Sequence, residues 1–155
     1  MARQISLFIA ISLWAIIIGG VVYSHIVYFP PYLSHLPESN KLITGEYGLS
    51  EGNFWMFIHP VAFLSTIFTL ILNWKLKPRR RFILISLSIY IAALMATALY
   101  FVPGLTAFAN SNNNTSISVS EWFQRGQAWQ HWSWLRGFFM FSGFISLLIG
   151  LTKNQ

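Results

Sequence analysis

The side chain in this sequence that most demands a chemical partner is Arg136, a guanidinium set within the apolar run 132–152. A charge placed toward the centre of a membrane helix costs at least ~2.5 kcal/mol, and less near the interface. Two arrangements would satisfy it. In one, the stem snorkels to the headgroups or stacks on Trp132 and the head pairs with a loop glutamate. In the other, the head faces a cavity and clamps a phenolate, carboxylate or quinone oxygen, for which a planar, permanently charged fork is suited. Upstream, Trp122, Arg125, Trp129, Trp132 and Arg136 recur at intervals of three, four, three and four, which places three indoles and two guanidiniums on one face of a continuous helix. Trp129 and Trp132 would then wall the cavity. Gly126 is the position at which that helix could break.

Histidines are the other groups able to do chemistry. His25, His59 and His131 each fall at an end of an apolar run, and the topology argued below brings those ends to one level. Neutral imidazoles there could serve as bases, shuttle protons, or ligate copper, iron, zinc or haem. They could equally bond only to water, headgroup or backbone. No pair has the i, i+3 or i, i+4 spacing of a local ligand motif, and on a continuous helix His131 lies ~140° around from Arg136. The sequence has no cysteine, so disulfides, thiolate metal sites and thioether-linked haem are excluded. No metal or cofactor is assigned on these grounds. His35 falls in a loop, and Pro60 beside His59 reads as a helix-start feature.

The elements that must position these groups follow from hydropathy. The chain is 55% hydrophobic and 9% charged, too little charge to clothe a water-soluble domain of its length. Hydrocarbon ~30 Å thick needs about 20 apolar residues per helix, and runs at about 5–28, 54–74, 82–102 and 132–152 qualify. The first resembles a signal peptide only superficially, since it ends in Val22-Tyr23-Ser24-His25-Ile26-Val27-Tyr28 without a small-x-small cleavage site. The fold class predicted is all-α: a single integral membrane domain, 1–155, formed by an antiparallel four-helix bundle with a short amphipathic helix leading into the fourth span. Ser118 and Glu121 have capping-box spacing at the start of that leading helix.

Charge sets the orientation. Lys75, Lys77, Arg79, Arg80 and Arg81 fill the link between the second and third runs, and Arg3 and Lys153 flank the outer ends of the first and fourth. Glu38, Glu46, Glu51 and Glu121 all fall in the other two loops. The basic link and both termini, Gln155 included, are therefore expected in the cytoplasm, with the protein multi-pass in the plasma membrane. The net charge of +6 is read as topogenic, so no nucleic-acid partner is expected. Small residues four apart, Ser142/Ser146/Gly150, Ala15/Gly19 and Ala92/Ala96, are candidate helix contacts, within the bundle or in a homo-oligomer. The tract Ser111–Ser116 reads as a flexible polar linker.

Trp122-x6-Trp129-x2-Trp132-x3-Arg136, with Phe101-Val102-Pro103 closing the third run, resembles the anthrone oxygenase-like family of small four-helix membrane proteins. The resemblance extends to Gly19-Gly20, to Pro30-Pro31-x-Leu33-x2-Leu36-Pro37 and to Asn53-Phe54-Trp55. The family reads Asn-Val-Pro-Leu-Asn after its third helix and Asn three residues before the Arg; Phe101, Leu105 and Ser133 stand in those places here. It implies a four-helix fold and, through its characterised members, oxidation of anthrones to anthraquinones without a conventional cofactor. The expected activity is accordingly one of three: binding of membrane lipid, a lipophilic aromatic molecule or a helix partner without turnover; oxidation of a phenolic or quinone-type substrate; or carriage of metal or haem by the histidines. For the enzyme, Arg136, His59 and His25 are the candidate catalytic residues, and Trp122, Trp129, Trp132, Arg125 and Ser133 the candidate substrate-binding ones.

Overall fold

A computed structural model describes residues 1–44 and 46–153; the expected cytoplasmic placement of Gln155 lies outside them. The described residues form four long helices: α1 (Ala2–Ser34), α2 (Gly52–Leu72), α3 (Lys77–Ala109) and α4 (Val119–Thr152). All four are long and apolar enough to cross a membrane, which makes this an integral, multi-pass, all-α protein. α1 packs on α2 and α4, and α3 packs on α2 and α4, so consecutive helices close an up-down bundle.

Helix length explains where the cavity lies. At 33, 33 and 34 residues, α1, α3 and α4 are each about 50 Å long and overrun the hydrocarbon, whereas the 21 residues of α2 only just span it. The three overruns are at the same end, opposite the basic Lys75–Arg81 link, because α2 starts late, at Gly52. There Phe29, Tyr32, Leu33, Leu36, Phe101, Phe108, Trp122 and Trp129 build a second apolar cluster, separate from the core deeper in the bundle. The expected amphipathic lead-in is the first part of one uninterrupted α4. Ser118 caps it, its Oγ accepting the Glu121 amide at 3.2 Å. Gly126 does not break the helix; a Cβ there would stand 3.1 Å from Leu33 Cβ, so glycine allows α4 to approach α1 closely.

The deeper core is stitched by polar groups as well as packed. Trp14 is fully buried, donates from Nε1 to Thr66 Oγ1 at 3.1 Å, and lies against Gly143, where a Cβ would meet its ring at 2.7 Å. Between α3 and α4, Ser86 Oγ donates to the Gly143 carbonyl (2.7 Å), Ser146 Oγ to that of Phe82 (2.9 Å) and Arg79 Nε to that of Gly150 (3.2 Å). Small residues bring the backbones near enough for these bonds. Of the expected α4 row only Ser146 and Gly150 serve this purpose, since Ser142 is exposed, and the other two rows do not: Ala15 and Gly19 are exposed, and nothing lies within 4 Å of a Cβ built on Gly19. Ala92 is exposed too, and only Ala96 packs inward, against the second cluster.

Three further expectations are corrected. Pro60 lies inside α2 and not at its start. The tract after α3 is not a free linker, because Ser111 is buried and its Oγ accepts from Asn40 Nδ2 at 3.0 Å. Within the basic link, Arg79 is buried and also donates to Asn73 Oδ1, so it is a structural residue of the fold.

Candidate functional site

Where α2 begins, the bundle holds a partly open cavity of about 490 Å³ between its two apolar clusters. His25, Glu51, His59, Thr97, Trp129 and Arg136 supply polar or aromatic groups to its wall, and Ile17, Val21, Leu94, Phe101, Leu105 and Met140 much of its apolar surface.

Two interruptions of helical register build this wall. In α1 the amide of Phe29 bonds to the carbonyl of Ser24, and in α3 the amide of Val102 to that of Thr97, each five residues back. The π turns Ser24–Tyr28 and Thr97–Phe101 so formed end two residues before Pro30 and Pro103. A proline ring clashes with the carbonyl four residues back and offers no amide, and one extra residue in the turn relieves both problems. The carbonyls concerned belong to Ile26, Val27 and Leu99, all within the π turns. Ser24, His25 and Tyr28 from one turn, and Thr97 and Phe101 from the other, thereby line the cavity.

Arg136 is held by neutral groups. Nη1 donates to Thr97 Oγ1 at 2.7 Å and Nη2 to Ser133 Oγ at 3.1 Å, while the guanidinium lies 4.0 Å from the centre of the Phe101 ring. Thr97 is oriented for this by donating its own proton to the Ala93 carbonyl at 2.7 Å. No ion pair joins Arg136 to a carboxylate among the described residues. Glu51 lines the same cavity, but its Oε1 accepts from Ser24 Oγ (2.6 Å) and its Oε2 from Trp55 Nε1 (3.2 Å), at the N-terminal end of α2. The two bonds described use two of the five N–H donors of Arg136.

The two histidines on this wall are fixed differently. His25 is buried, with its ring against Phe29 and Trp134, and its Nδ1 lies 2.7 Å from the Val21 carbonyl. A carbonyl can only accept, so Nδ1 carries the proton and Nε2, which has no partner, is the basic nitrogen of the neutral ring. His59 stacks on Trp55 and lies 2.8 Å through Nδ1 from Tyr90 Oη. Tyr90 Oη is also 3.1 Å from the His59 carbonyl, so when the tyrosine donates there, Nδ1–H of His59 donates to Oη.

The remaining candidates lie apart from this wall. Trp122 is buried in the second cluster beside Phe108, and Arg125 pairs with Glu121 at 2.7 Å on the surface. Trp132 is 57% exposed and His131 is exposed. At ~100° per residue, Arg125 and Trp132 sit ~60° and ~80° to one side of Trp122, whereas the buried Gly126 and Ser133 sit on the other, so the stripe meets the bundle with the edge that carries Trp122, Trp129 and Arg136. Trp129 does line the cavity, donating to the Phe101 carbonyl at 3.1 Å. Ser133 acts on the cavity through Arg136. Sequence reasoning passed over Thr97, Glu51, Ser24 and Tyr90; the polar residues inside apolar runs and the prolines one turn beyond them were the available signals. Among the described residues no three His, Asp or Glu side chains gather as a metal-ligand set. No protein-family model, curated protein or solved structure matches the chain.

Proposed function

We propose that this chain binds a lipophilic molecule through an acidic or carbonyl oxygen held by Arg136, with the apolar body of the ligand in the cavity between the helices. The observation that carries this reading is the unpaired guanidinium on the wall of a cavity about 490 Å³ in volume. An anion there recovers part of what desolvating the charge costs, and the planar fork suits a carboxylate, phenolate or quinone oxygen. Trp55, only partly buried, supplies aromatic surface for a ring, beside Phe101 and Trp129 on the same wall. In this reading the cavity end faces outward and the basic end lies in the cytoplasm, with the plasma membrane as the host. The test is titration of the purified protein with a long-chain phenolate or carboxylate, followed by tryptophan fluorescence. Saturable quenching is expected, and at least tenfold weaker binding to Arg136→Leu. Equal affinity of the two would overturn the proposal.

A second reading is favoured by one specific observation, that His25 and His59 line the same cavity as Arg136. It is oxidation of a phenol-related substrate by dioxygen, as the resemblance to anthrone oxygenases implies. The substrate CH2 group loses two hydrogens and gains one oxygen atom, the other oxygen leaving as water. His59 would take the first proton at Nε2, the Nε2 of His25 being sealed from the cavity, and Arg136 would stabilise the resulting oxyanion. Dioxygen consumption with an anthrone substrate, lost in both His59→Ala and Arg136→Leu, separates catalysis from binding alone.

A further inference from the structure

The basic link is divided by the fold. Arg79 turns inward to the Gly150 carbonyl and Asn73, whereas Lys77, Arg80 and Arg81 line an open groove that continues along α3 over Leu84, Ile85, Ser88 and Ile89. The sequence from 77 to 89 thus gives one helix face with cations at its first turn and aliphatic side chains in the following turns. Leu84 and Ile85 are exposed, so no other helix of the bundle covers them. Arg80 is pinned at the boundary, its guanidinium 4.9 Å from the Trp74 ring centre and its Nη1 donating to the Trp74 carbonyl at 3.3 Å. No carboxylate forms an ion pair with Lys77, Arg80 or Arg81 among the described residues, and all four acidic residues of the sequence lie outside this link.

We propose that this groove binds one anionic phospholipid, its phosphate among Lys77, Arg80 and Arg81 and an acyl chain along Leu84, Ile85 and Ile89. Charge complementarity commits the groove to this occupant. A second protein helix would have to bring carboxylates to the same level, and a zwitterionic lipid carries its own cation beside the phosphate. The site is independent of the cavity at the opposite end, and its test does not depend on what that cavity holds.

The experiment reconstitutes the full chain in phosphatidylcholine nanodiscs doped with phosphatidylglycerol, extracts it in mild detergent, and counts retained lipids by native mass spectrometry. The parent is expected to retain one phosphatidylglycerol with at least tenfold preference over phosphatidylcholine. Lys77→Gln with Arg81→Gln should reduce that preference to about twofold or less, while Lys75→Gln, outside the groove, leaves it intact. Ile85→Asp, which puts a carboxylate on the chain path, should act like the double variant. Should the double variant fail to fold, Arg81→Gln alone and a salt titration of the parent give the same reading, since phosphate contacts weaken with ionic strength. Glycerol phosphate offered in place of lipid should not protect the protein against thermal unfolding. Protection equal to that by phosphatidylglycerol would show a free-anion site, and no preference in the parent, or an unchanged one in the double variant, would equally overturn the proposal.

Discussion

Arg136 of α4 reaches across to α3 and donates to Thr97 Oγ1 at 2.7 Å, in the π turn that precedes Pro103. This bond fixes the direction of the fork that the proposed ligand would meet. Thr97→Val keeps the shape of the side chain and removes the acceptor, leaving one more guanidinium N–H unpaired in a part-buried site. A loss of about 1–3 kcal/mol is expected, with Thr97→Ser close to the parent. Thermal unfolding of the three proteins in one detergent measures it; a valine variant as stable as the parent would show that the bond does not constrain Arg136.

Glycines at helix contacts offer an internal comparison. A Cβ on Gly143 would stand 2.7 Å from the Trp14 ring, which is fully buried and tied to Thr66, whereas one on Gly19 meets nothing within 4 Å. Gly143→Val is expected to destabilise the bundle by about 1–3 kcal/mol or more through overpacking. Gly19→Ala should be neutral or stabilising by up to ~1 kcal/mol from helix propensity. If the Gly19 variant were the damaging one, that face would be engaged in a contact between copies.

Gly104 tests the cavity wall in the same way. A Cβ there would lie 2.6 Å from Trp129 Cδ1 and 2.9 Å from its Nε1, the atom that donates to the Phe101 carbonyl. Gly104→Ala should push the indole off that carbonyl and change its fluorescence maximum. It should also change the affinity for an aromatic ligand more than that for an aliphatic acid. An unchanged emission spectrum would mean that the ring has room the structure does not show.

How much of this was legible in the sequence depends on the length scale of the signal. Apolar runs fixed the four helices because a whole span of ~20 residues contributes to each, yet they placed the third span at 82 while α3 starts at Lys77, since cations with long stems are tolerated at a helix end. Arg136, His59 and His25 stood out because a polar group in an apolar run needs a reason, and all three line one cavity. Trp132 and Arg125 did not join them. A period of three and four defines a stripe but not which edge of it meets the bundle, and that is decided by Gly126 and Ser133 on the opposite edge. The π turns shift register by one residue at His25 and Thr97, a displacement no fixed helical period can express.

Orientation is open to a direct measurement. The link Lys75–Arg81 should be inaccessible to an impermeant label in intact cells, and a cysteine placed at Asn112, in the exposed tract after α3, should be accessible, because basic residues are retained on the cytoplasmic side. Labelling of the link from outside would invert the bundle and put the cavity in the inner leaflet.

The sharpest prediction concerns the sign of a stability change. Removing one partner of a buried ion pair costs ~3–5 kcal/mol, because the other charge is left uncompensated. Arg136 has no such partner among the described residues. Arg136→Leu therefore removes an unpaired charge from an apolar setting. It frees Ser133 Oγ, which can turn to the carbonyl four residues back in its own helix, and Thr97 Oγ1, which already donates to Ala93. The leucine variant is expected to unfold at or above the temperature of the parent while losing ligand binding. Arg136→Lys should bind with intermediate affinity, since an ammonium keeps the charge and loses the planar fork. Unfolding temperatures in detergent, taken beside the fluorescence titration, decide between the two roles. A leucine variant that is strongly destabilised, and whose folded fraction still binds normally, would make Arg136 a structural residue and end the clamp.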